Sequence, residues 1–191
     1  MPKFILTDKF VINSFGIKLF QIKCTKSFKY AQKGDFGGYV EKEGNLDQEN
    51  DAWVFGNARV FGNARVSSNA RVSGDAWVSD NARVSGDAWV SGNAWVSSNA
   101  RVSGDALVSG YADIENDNEH CGFDGFGSCN RHTHAYMTKE KKVEIICGCF
   151  RGSIEEFEKK VEETHSGTVY EKQYKSIINV IKIKFGLTDF T

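Results

Sequence analysis

The sequence predicts a mainly β protein. We expect a parallel β-helix of six-residue steps, entered through an N-terminal strand and cap and followed by a small α+β domain. Three observations carry this expectation. Valine recurs every six residues from Val54 to Val108, and Ile114 takes the next place. Alanine stands two residues before each, from Ala52 to Ala112. Most of the intervening positions are Gly or Ser followed by Asn or Asp.

A period of six would smear valine around an α-helix of 3.6 residues per turn. It fits short strands joined by tight corners. Residues at i and i−2 share a face of a strand, so valine and alanine point inward and their neighbours outward. Gly, Asn and Asp tolerate the left-handed backbone that such corners need. Three steps close a coil of eighteen residues, and coils stack at the strand spacing of roughly 4.8 Å. Such repeats resemble those of the hexapeptide-repeat, left-handed parallel β-helices.

The elements follow in order. Residues 1–37 form the N-terminal strands and cap: "FGIKLFQIKC" (15–24) alternates apolar and polar residues as a half-buried strand does. "KGDFGGYVEKEGNL" (33–46) places turns at Gly34, Gly37 and Gly38, with Phe36 and Tyr39 as an aromatic lid over the open coil. Its glycine spacing matches neither phosphate-loop pattern. The β-helix occupies 38–115. Val40 and Leu46 already keep the six-residue step, and "DQENDAW" inserts two residues before Val54. The C-terminal domain occupies 116–191. "ENDNEHCGFDGFGSCN" reads as a loop-rich hinge, and "RHTHAYMTKEKKVEIICGCFRG" as a hairpin turning at Lys139–Lys142. Ser153 with Glu156 is a capping box opening a helix that ends at Gly167. A second amphipathic helix uses Tyr170, Tyr174, Ile177, Ile178, Ile181 and Phe185.

Wrapped at eighteen, the outward residues before valine fall into three columns: Trp53, Arg71, Trp89, Leu107; Arg59, Trp77, Trp95, Asp113; and Arg65, Arg83, Arg101. The third is an arginine ladder with only asparagine at its corners, suited to an acidic or phosphate-bearing partner. Trp53, Trp77, Trp89 and Trp95 form an outward apolar surface that we expect to be an oligomer interface. On the C-terminal hairpin, Asn130, Arg131, His132, His134 and Arg151, with His165 at the end of the following helix, form a second candidate anion site.

Taken together, "KGDFGGYVEKEGNL", the "GNARV/GDAWV" hexads and "VEIICGCFRGSIEEFEKKVEETH" resemble a group of phage and prophage proteins described as polymer-forming or hexapeptide-repeat proteins. The resemblance implies a mobile-element origin in a bacterial host and, for an accessory protein, a role in counter-defence. Hexapeptide β-helices of the wider family are commonly homotrimers, so we expect a trimer.

Charge and composition narrow the function. Net charge is −1, so bulk charge selects neither nucleic acid nor membrane, and a local patch must do any electrostatic binding. Nucleic acid stays open as a partner. No apolar run approaches the roughly 18 residues of a membrane span, and the opening residues lack a signal-peptide core, so we expect the bacterial cytoplasm and no membrane. Five cysteines read as free thiols there. His120, Cys121, Cys129, His132, His134, Cys147, Cys149 and His165 invite a zinc reading, but H-x-H and C-x-C spacings are not those of structural zinc, and we expect no metal or other cofactor. The fold also hosts acyltransferases with a histidine base. Here no histidine precedes His120, and we expect no catalytic residue. The expected function is a non-enzymatic binding protein that occupies a host defence protein or sequesters a small nucleotide signal. A structural virion or scaffold component is the alternative, with acyl transfer behind it.

Overall fold

The computed structural model describes residues 1–187. The chain divides into two compact units, 1–116 and 117 onward.

The first unit is a parallel β-solenoid with an antiparallel entrance. Strands β1 (Phe4–Ile12) and β2 (Lys18–Cys24) form a hairpin, and β3 (Phe36–Val40) pairs antiparallel with β2. Two-residue strands then recur at every valine: β4 (Trp53–Val54), β5 (Arg59–Val60), β6 (Arg65–Val66), β7 (Arg71–Val72), β8 (Trp77–Val78), β9 (Arg83–Val84), β10 (Trp89–Val90), β11 (Trp95–Val96), β12 (Arg101–Val102), β13 (Leu107–Val108) and β14 (Asp113–Ile114). They stack into three sheets, β4-β7-β10-β13, β6-β9-β12, and one in which β1-β2-β3 continues into β5-β8-β11-β14. Every parallel pair among β4 to β14 matches residues eighteen apart, as in Arg59↔Trp77 and Arg65↔Arg83.

Two physical terms hold the stack together. Each coil donates backbone N–H groups to the next, for example Arg83 N to Ala100 O and Ser85 N to Val102 O, both at 2.9 Å. Inside, the valines and alanines are buried throughout, and Val78, Val84 and Val90 expose nothing. Burying each such valine contributes about 1.5–3 kcal/mol, which a flat ribbon would forgo on one face. The corners use positive φ. Gly86 (φ 68°) could not carry a side chain without shifting, because a Cβ there would lie 2.8 Å from Gly104 N.

The capping expectation is corrected. Phe36 is half exposed, its ring beneath the ammonium groups of Lys9 and Lys23. Tyr39 faces outward beside Arg59. The hairpin instead buries Phe4, Leu19 and Ile22 fully, with Phe4 edge-on against Trp53. Gly37 is the place of closest approach, since a Cβ there would sit 2.6 Å from both Ile22 Cγ1 and Val54 O. Gly37 thus makes room for Ile22 of the hairpin, and Gly38 for the solenoid itself, since a Cβ there would sit 2.7 Å from both Ala58 O and Val54 Cγ1.

The second unit is a four-stranded antiparallel sheet with two helices. The order is β15 (His120–Phe126), β16 (Arg131–Met137), β17 (Val143–Cys147), β18 (Phe150–Ser153). Helices α1 (Ile154–His165) and α2 (Val169–Lys184) follow. Ser153 caps α1, accepting from Glu156 N while the Glu156 side chain accepts from Ser153 N. Ala135, Ile145 and Cys147 pack against Phe157, Val161 and Ile181 to form the core. The region expected to be a loop-rich hinge contains β15. Its glycines hide the strand pattern, and at one of them, Gly122, a Cβ would lie 2.7 Å from the His132 ring, which would have to shift.

Candidate functional site

Alternation along β16 decides what the C-terminal candidates can do together. Odd positions face the helices and even positions face the other way. Arg131 therefore lies on the helix side, while His132 and His134 lie opposite, and the expected single anion cluster is divided. Arg151 pairs across from Ile146, and its Nε donates to Glu144 Oε1 at 2.6 Å. Tyr136 donates to the same carboxylate oxygen. Arg151 thus joins the histidine face and not Arg131. Asn130 sits at a left-handed turn (φ 47°) before β16, where Asn is tolerated for conformational reasons.

On the histidine face, His120 and His134 stack with ring centroids 5.3 Å apart and nearly parallel planes. His132 Nε2 lies 3.3 Å from His134 Nδ1, and His132 Nδ1 meets Asp124 Oδ1 at 2.5 Å. His134 is 1 % exposed, and burial followed by its histidine neighbours pushes its pKa down to about 3. It is neutral at any physiological pH. Among the described residues no group of three or more His, Cys, Asp or Glu side chains is placed to hold a metal ion.

On the helix side, Arg131 and His165 line one cavity of about 240 Å³, together with Cys129, Cys149 and Lys160. Its floor is aromatic, built from Phe150, Phe157 and Tyr174. His165 stacks on Tyr174 at 5.5 Å and is thereby held over that floor. The thiol of Cys129, then that of Cys149, hold the Arg131 guanidinium above its ordinary pKa. Burial, and then the nearby Cys147 thiol (3.7 Å), push the Tyr174 hydroxyl up to about 12, so it stays a neutral donor. Three basic side chains over an apolar floor can hold a small anion with a hydrophobic body. Lys160 is the member that spacing missed. Its position three residues beyond Phe157 was the signal available, since i and i+3 share a helix face.

On the solenoid, Arg65, Arg83 and Arg101 are exposed and stacked in one sheet. The tryptophans divide by environment. Trp53 is 1 % exposed, covered by Phe4 and Phe28 of its own chain, so it does not serve an oligomer interface. Trp77 and Trp95 are half-buried beneath Phe15 from the β1–β2 turn. Trp89 is 40 % exposed, with Nε1 donating to Ser73 Oγ and the Arg71 guanidinium over its ring at 4.6 Å.

Against known families, the description "YdcK Beta solenoid repeat" matches residues 52–68, 64–80, 76–92 and 82–99. These spans cover about a quarter of the chain, all of it within the repeat, and the likeness supports a β-solenoid repeat protein. No curated protein matches the chain. No helix among the described residues is long and apolar enough to cross a membrane.

Proposed function

We propose that this is a binding protein in which the solenoid is a rigid scaffold and the C-terminal unit carries the receptor cavity. The observation that carries the reading is the meeting of Arg131, Lys160 and His165 above Phe150, Phe157 and Tyr174 in one cavity. At about 240 Å³ it falls just below the typical range of roughly 300–1,000 Å³ for ligand pockets. It suits a small carboxylate or phosphate, or the phosphate end of a nucleotide signal. A guanidinium pairs with such groups through two parallel hydrogen bonds.

The finer reading has the solenoid as a left-handed hexapeptide-repeat helix, assembled side by side into a homotrimer. The exposed arginine column, together with Trp89, is the surface this reading assigns to a second copy or to an acidic host protein. The purpose is counter-defence by a phage-encoded protein in the bacterial cytoplasm, and the support for it is the resemblance of the three sequence motifs.

Native mass spectrometry on protein purified from a bacterial lysate tests the reading. Three protomers carrying an added mass of nucleotide size, lost in Arg131→Glu, are expected. Protein without added mass, unaffected by Arg131→Glu in pull-downs but released from a host protein by reversing Arg65, Arg83 and Arg101, would move the site to the solenoid. A ladder of ever-larger assemblies would replace the receptor with a structural scaffold.

A further inference from the structure

The solenoid has a second cavity, unconnected with any residue used above for anion binding. It measures about 330 Å³ and lies between the tip of the β1–β2 hairpin and the column of β8 and β11. Phe15, Trp77 and Trp95 are three of its walls. Their ring centroids are 5.8–6.1 Å apart in pairs, and their planes are tilted by 48–71°. Phe15 remains 57 % exposed despite these contacts, so part of its surface is open to a ligand. Asp75 and Asn93, two corners of consecutive coils, form the polar rim. The lining holds one carboxylate and no basic side chain.

We propose that this cavity binds a small quaternary or methylated ammonium ion. Aromatic faces attract cations through the ring quadrupole, and a quaternary nitrogen is the cation least costly to remove from water. The column already uses this attraction, because the Arg59 guanidinium stands over Trp77 at 5.1 Å. A new cation therefore rests chiefly on Trp95 and Phe15. Asp75 decides the sign of the charge. Its Oδ1 accepts one hydrogen bond, from Asn57 Nδ2 at 3.3 Å. Covering that carboxylate with a neutral apolar ligand would remove its water and give nothing back, whereas a cation compensates it. The Trp95 ring is held in place by its Nε1, which donates to Ser79 Oγ at 3.1 Å, so the wall is formed before the ligand arrives.

Choline is the probe, titrated into the whole chain while the indole N–H resonances are followed. The resonances of Trp77 and Trp95 should shift, and those of Trp53 and Trp89 should stay. The neutral isostere of choline, with carbon replacing the quaternary nitrogen, should bind at least about tenfold more weakly. Asp75→Asn should weaken choline binding to a similar degree. It is a gentle change, because Asn57 and Asn93 already occupy the same corner row. Trp95→Leu should weaken binding likewise, and Leu107 shows that the repeat accepts leucine at an outward place. Equal affinity for choline and its isostere, unchanged affinity in Asp75→Asn, or shifts confined to Trp89 would each overturn the proposal, as would no binding at all. Loss of the anion cavity's function would leave this result untouched, since that cavity belongs to the other unit.

Discussion

Single residues show where the repeat departs from its own rule. Most corners place glycine at positive φ, but Ser68, Asp80 and Ser98 adopt φ values of 53–58° with a side chain. Left-handed geometry costs an L-residue about 1–2 kcal/mol, against which glycine loses roughly 0.5–1 kcal/mol of chain entropy. Ser68→Gly should therefore stabilise the solenoid by about 0.5–1 kcal/mol, read as a higher urea midpoint. Asp80→Gly should gain less, because the Asp80 carboxylate accepts from Ser98 N at 3.2 Å. His134 gives a pH prediction. Its folded pKa, near 3, lies below the unfolded value of about 6.5. The neutral form is the one that fits the fold, so stability is full above pH 6.5 and falls as pH drops towards 3. The slope approaches about 1.4 kcal/mol per pH unit. Urea midpoints at pH 7 and pH 5 should differ less in His134→Gln than in the parent. At this scale the sequence was partly legible. The opposite facing of Arg131 and His132 is written in their adjacency on a strand. The burial of Trp53 was not, because Phe4 lies 49 positions away and only the fold brings it there.

At the scale of elements, the eighteen-residue wrap anticipates all three columns, because valine period and corner chemistry agree at every step. That agreement also says where the stack is weakest to attack. Val84 lies between Val66 and Val102 in the middle of its sheet, wholly buried. Val84→Ala removes two methyl-sized groups and leaves a cavity that neighbouring coils cannot close without breaking register. The expected loss is about 2–3 kcal/mol in urea unfolding, against a negligible change for Arg83→Lys on the exposed face of the same strand. The helices α1 and α2 were legible from their caps and apolar stripes. Strand β15 was not, since Gly122 and Gly125 break the alternation that marks a strand. In the entrance hairpin the alternation at 15–24 gave strand β2, but not how the hairpin packs. Its burial rests on Gly37 meeting Ile22, a contact between strands whose register carries a bulge.

For the whole molecule, two cores imply two melting events. The solenoid is stabilised by stacked valines, and the C-terminal unit by a sheet and two helices with a core of its own. Calorimetry should resolve two transitions. Ile181→Ala, a fully buried α2 position, should cost about 2–5 kcal/mol and lower one transition while leaving the other in place. A single transition that moves as one would show that the units unfold together.

The uniform offset of eighteen between paired residues makes length a counted quantity in this protein. Removing residues 70–87 would take out one complete coil, shorten the solenoid by roughly 4.8 Å, and bring every remaining outward residue back above a member of its own column. Removing 70–75 would leave the valine core just as regular but turn everything downstream by one face, so that Trp77 and Trp95 would join the column of Trp53, and Trp89 would break into the arginine ladder above Arg65. A gene copied with a slip of fifty-four bases thus yields a shorter version of the same object, whereas a slip of eighteen yields a different surface on an unchanged interior. Variation in such a chain is free to set the solenoid's length in whole steps, and selection on its surface acts as a check on the count.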